Sequence, residues 1–75
     1  MGKINKAIGE ELRRLRKIKG LSLEEVAERL GYKSKNTVSR IELGETQITV
    51  EDLERYATIL DADYISILYS IKNPR

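Results

Sequence analysis

Glycines and helix-capping residues recur along this chain at spacings that leave room for short helices and for little else. From Ile4 to Lys19, apolar residues fall at Ile4, Ile8, Leu12 and Leu15, with Arg and Lys on the other faces. That is the period of a helix with one buried stripe, and Gly20 is a natural stop for it. Ser22 then caps a second helix, and Glu25, three residues on, completes a capping box. Val26, Ala27 and Leu30 give this helix its buried side before Gly31 ends it. Ser34 caps a third, running to about Leu43, with Val38 and Ile41 pointing inward and Gly44 closing it. Thr49 caps a fourth, with Asp52 at its third position and Leu53, Tyr56, Ala57 and Leu60 on one face. Asp63 caps a fifth, Tyr64 to about Ile71, with Pro74 beyond its end. No segment alternates strictly, as a half-buried strand would. The β-branched trio Ile48, Thr49 and Val50 is too isolated to pair. The expectation is an all-α fold, a compact five-helix bundle in one domain spanning residues 1–75.

Composition narrows the function. The chain has no Cys and no His, which removes the commonest nucleophile, general base and metal ligands together. No enzyme, metal or cofactor is therefore expected. The acidic cluster Glu51, Asp52 and Glu54 begins a helix and reads as N-terminal charge. No apolar run approaches the ~20 residues a membrane span needs. The charged stretch from Met1 to Leu21 lacks the apolar middle of a secretory signal. A cytoplasmic protein is expected, with no membrane partner. Net charge is only +2, yet its distribution is uneven. Residues 1–40 carry eleven Lys and Arg against five Glu, whereas residues 41–75 carry three basic residues against seven acidic ones. One end is suited to a polyanion, although charge alone does not separate this from an ordinary solvated surface.

The informative stretch runs from Gly20 to Gly44. Two short helices meet at a tight turn, and the first has the small residue Ala27 at its centre. Closely crossing helices need a small residue there, and Gly31, four residues on, permits the reversal. With Val38 and Ile41 turned inward, Lys35, Asn36, Ser39 and Arg40 occupy the outer side of the third helix. All four can hydrogen-bond to bases or phosphates, and none is acidic.

The run GLSLEEVAERLGYKSKNTVSRIELGE resembles the lambda-repressor-like (Cro/CI, XRE) helix-turn-helix family. Leu15–Arg16, Gly20–Leu21–Ser22, Glu24, Ala27, Gly31, Thr37–Val38–Ser39, Ile41–Glu42 and Gly44 carry the match, and the likeness extends over roughly Ile8 to Leu68. The resemblance implies that helices two and three form the helix-turn-helix and that Lys35, Asn36, Ser39 and Arg40 read base edges in double-stranded DNA. It further implies an ion pair between Arg16 and Glu42, with the guanidinium edge near a phosphate. Ser22, Lys33, Ser34, Thr37, Thr46 and Gln47 would contact the DNA backbone. Two departures stand out. Leu23 replaces a Gln that contacts a phosphate in many members. The interval from Gly31 to Val38 is one residue longer than the commonest spacing, so Tyr32 and Lys33 precede the cap and the register of the third helix can shift by about one position.

The fifth helix is apolar on two sides. Ile65, Leu68 and Tyr69 form one, expected to face the core. Tyr64, Ile67 and Ile71 form the other, expected to meet the same helix of a second subunit, because a single domain this small has nothing left to cover it. The resemblance agrees, since the family works as homodimers on pseudo-palindromic operators. The function expected is that of a transcriptional regulator, a Cro/CI-like repressor or controller protein. An antitoxin-type module that neutralises a protein partner is the alternative, with the acidic half and the apolar stripe as its binding surface.

Overall fold

The structure, a computed structural model, describes residues 2–73. It contains five helices, α1 (Gly2–Lys19), α2 (Leu23–Leu30), α3 (Lys35–Glu42), α4 (Val50–Ile59) and α5 (Tyr64–Lys72), and no strand among the described residues. The stop expected from Pro74 lies outside them.

The expected caps are in place. Ser22 Oγ accepts from the Glu25 N–H at 3.0 Å, and the Glu25 carboxylate accepts from the Ser22 N–H at 2.8 Å. Those two bonds close a reciprocal capping box. Ser34, Thr49 and Asp63 accept from the N–H groups of Asn36, Asp52 and Ile65. At the other end of α2, Gly31 takes the left-handed conformation (φ 80°), which costs a residue without Cβ nothing. The amides of Gly31 and Tyr32 then close back onto the Glu28 and Ala27 carbonyls.

Among the described residues, twelve buried apolar side chains make one core, with Leu12, Val26, Val38, Tyr56 and Ile67 as its most fully enclosed large members. Each aliphatic side chain of that size contributes about 1.5–3 kcal/mol on burial. Helix α3 is held between α1 and α2, α4 closes over α2, and α5 lies across α1 and α4. The approach of α1 to α3 is close: a Cβ on Gly9 would come within 2.3 Å of the Ile41 carbonyl oxygen. At Gly44 (φ 78°) a Cβ would meet the Lys6 Cα at 2.6 Å. No described helix is long and apolar enough to cross a membrane.

Two expectations are corrected. Ile4 is 64% exposed, because the first turn of α1 precedes the point where the helix meets the body of the protein. Helix α5 faces the other way round. Ile67, expected at a subunit interface, is 2% exposed and sits in the core, with Tyr64 and Ile71 packed against it. Ile65, Leu68 and Tyr69, expected in the core, are 60%, 41% and 67% exposed.

Candidate nucleic-acid interface

An open groove connects the start of α2 to the turn before α3. It is lined by Ser22, Glu24, Glu28, Lys33, Ser34 and Lys35, among others. Both capping serines and two of the expected cations thus share one surface. Two helix N-termini open here, and aligned peptide dipoles give such ends a partial positive charge. The carboxylates of Glu24 and Glu28 form part of the same groove, so the surface is mixed in sign at α2 and cationic at the turn.

On α3, Val38 and Ile41 are buried while Lys35, Asn36 and Arg40 are exposed and Ser39 and Thr37 are half-buried. The outward face is therefore the one expected from periodicity, with Ser39 at its edge. The loop after α3 is tied to the helix end: the amides of Glu45 and Thr46 both donate to the Arg40 carbonyl, at 2.9 and 3.4 Å. Thr46 and Gln47 are exposed on that loop. Its one charged residue from Leu43 to Gln47 is Glu45.

Behind α3 lies a buried polar cluster. Arg16 Nε and Nη2 donate to the Glu42 carboxylate at 2.6 and 3.1 Å, and Arg16 Nη1 donates to the Leu21 carbonyl at 2.7 Å. The Tyr56 hydroxyl donates to the same carboxylate at 2.7 Å. The Arg16–Glu42 pair joins α1 to the end of α3 as the resemblance implied. Arg16 itself is only 8% exposed, with its fork turned inward. That placement makes it a brace between α1 and the end of α3.

Three features are not legible in the sequence. Tyr56 reads there as a core residue, but its hydroxyl partner lies on another helix. The Tyr32 hydroxyl donates to Asp52 Oδ2 at 2.9 Å, fastening the turn to α4. Lys6 lies beside Gly44 at the foot of the α3–α4 loop. Each depends on long-range packing. The only hint in the sequence is the tyrosines themselves, apolar with one polar tip that seeks a partner when buried.

A helix pair of this geometry, with a capped second member exposing one polar face, defines a helix-turn-helix unit. The chain belongs to the helix-turn-helix domain family, whose profile matches residues 7–64. Among solved structures it is similar to the clp gene regulator ClgR from Corynebacterium glutamicum, at 29% identity and a TM-score of 0.85, covering 91% of this chain and 71% of that one. A transcriptional regulator of the HTH_3 family from Vibrio cholerae is similar over 93% of this chain and 39% of its own, at 31% identity and a TM-score of 0.77. The master regulator for biofilm formation SinR, solved in complex with DNA, gives 35% identity and a TM-score of 0.70 over 81% of this chain and 97% of that one. No curated protein sequence matches significantly. The fold is that of a DNA-binding transcriptional regulator, in keeping with the resemblance read from the sequence.

Proposed function

We propose that this protein is a sequence-specific regulator of transcription, of the Cro/CI or controller type, that binds a pseudo-palindromic operator in the cytoplasm as a homodimer. The observation that carries this reading is the exposed face of α3, with Lys35, Asn36 and Arg40 outward beside two capped helix ends. In the major groove Arg40 would fork onto guanine and Asn36 would pair with adenine, each worth about 1–3 kcal/mol of discrimination. Ser39 would sit at the rim. Lys33, Ser22, Ser34, Thr37, Thr46 and Gln47 would hold the backbone, with Lys6 adding a cation beside the acidic loop. SinR, similar over most of this chain, was solved in complex with DNA, and the same mode of engagement is the simplest one here.

The dimer surface in this reading is the exposed side of α5, Ile65, Leu68 and Tyr69. Two α3 helices joined through it would address half-sites one helical turn apart, ~34 Å. Occupancy of the operator would then block or recruit RNA polymerase. The same apolar stripe also suits a different protein partner, as in an antitoxin. Sedimentation with and without a co-expressed partner separates the two.

Selection of bound sequences from random duplex DNA tests the reading directly. A palindromic consensus is expected, and Arg40→Ala should weaken binding to it by about 1–3 kcal/mol while barely changing non-specific binding. If no consensus emerges, sequence-specific regulation is excluded. Equal loss on both kinds of DNA would make Arg40 a phosphate clamp.

A further inference from the structure

The turn between α2 and α3 is fastened to α4 by a closed ring of hydrogen bonds. Tyr32 is half-buried against the core, and its hydroxyl donates to Asp52 Oδ2 at 2.9 Å. Asp52 Oδ1 accepts from Arg55 Nη1 at 3.1 Å, and Arg55 Nη2 donates to the Leu30 carbonyl at 2.8 Å. Leu30 ends α2 and Tyr32 lies two residues on, so the ring spans the end of one helix, the turn and the first turns of α4. Asp52 is itself held, its N–H donating to Thr49 Oγ1 at 3.1 Å. Burial, and then the bond to Asp52, push the Tyr32 phenol up to about 12 from its ordinary 10.0, consistent with a hydroxyl that keeps its proton for this contact.

The ring bears directly on the start of α3. Lys33 is the residue after Tyr32, exposed in the groove, and Ser34 caps α3. The apolar anchors of α3, Val38 and Ile41, begin a full turn further on. The backbone between Gly31 and Ser34 lies outside both helices, with only its Gly31 and Tyr32 amides closed back onto the end of α2 among the backbone bonds described. Left unbraced, that stretch would have to be ordered on binding, at an entropic cost. Tied to α4, it is ordered beforehand.

We propose that Tyr32, through Asp52 and Arg55, is a positioning residue that holds Lys33 and the first turn of α3 against a phosphate ridge of duplex DNA. The inference rests on the DNA-binding reading above and adds what sets the pose. The turn is fastened onto α4, so the start of α3 is positioned from α4 through Tyr32 as well as directly by α1 and α2.

The test is the salt dependence of binding to a mixed-sequence duplex, for the intact protein and for Tyr32→Phe, Lys33→Ala and the double variant. Each phosphate contact contributes ~0.9 to the slope of log affinity against log salt. Tyr32→Phe keeps the packed ring and removes only the hydroxyl. It should lower the slope by about that amount, as should Lys33→Ala, and the double variant should lose no more than either. Asp52→Asn attacks the ring from α4 and should reproduce the change. If Tyr32→Phe and Asp52→Asn lower resistance to urea but leave the slope intact, the ring is a fold brace only and the proposal is overturned. If the intact protein shows no salt-dependent duplex binding, the DNA-binding reading itself fails, and this inference with it.

Discussion

A carboxylate buried at the end of a helix is costly unless its lone pairs are filled, and Glu42 fills its own from Arg16 and Tyr56. Removing it strands a charged guanidinium that has almost no access to water. Glu42→Ala should therefore destabilise the fold by about 3–5 kcal/mol, read as a lower urea midpoint, whereas a joint apolar replacement of Arg16 and Glu42 should recover much of that loss. The tyrosines add a pH signature. In the unfolded chain Tyr32 ionises near 10.0, but in the folded protein burial and the bond to Asp52 hold its proton to about 12. Burial, and then the bond to Glu42, raise Tyr56 further. The folded state thus binds protons that the unfolded state releases. Their contribution is complete below about pH 10 and is lost as the pH rises toward and beyond 12. Urea midpoints measured across that window should fall for the intact protein, and less steeply for Tyr32→Phe. A midpoint that stayed level would mean that neither hydroxyl is held as described.

At the scale of elements, most of the architecture is legible from local chemistry. The caps at Ser22, Ser34, Thr49 and Asp63 act within three residues of themselves, so their partners are visible in the sequence. Helices α2, α3 and α4 each have one apolar stripe, and that stripe is the one buried. Helix α5 has two, and nothing local says which packs. The core accepts Ile67, leaving Ile65 outside. Ile67→Ala should accordingly cost about 2–5 kcal/mol through the cavity it leaves. Ile65→Ala should stay within about 0.5 kcal/mol in urea unfolding at low protein concentration. A larger loss at Ile65 than at Ile67 would restore the opposite facing.

For the whole molecule, the consequence of that facing is an apolar stripe of Ile65, Leu68 and Tyr69 on the outside. Sedimentation of the intact chain should show a dimer, and replacing Ile65 and Leu68 together by Ser should give a monomer that is still folded. On a two-half-site duplex the variant should bind weakly and without cooperativity, while its affinity for a single half-site should be nearly unchanged. A wild-type chain that remains monomeric at concentrations saturating the DNA would remove dimerisation from the proposed mechanism. The approach of α1 to α3 at Gly9 and Gly44 belongs to this scale too. It brings Lys6 to a loop some forty residues later, a juxtaposition that no window of sequence contains.

The order of helices, their caps and the outward face of α3 all follow from interactions between residues two to four apart, and these the chain states on its own, while the helix-turn-helix is legible through the motif it shares with its family. Which stripe of α5 is buried, where the fork of Arg16 points and what moors the turn at Tyr32 depend on surfaces brought together from distant segments. Those were settled by packing, because a side chain with two suitable environments takes the one its neighbours leave open.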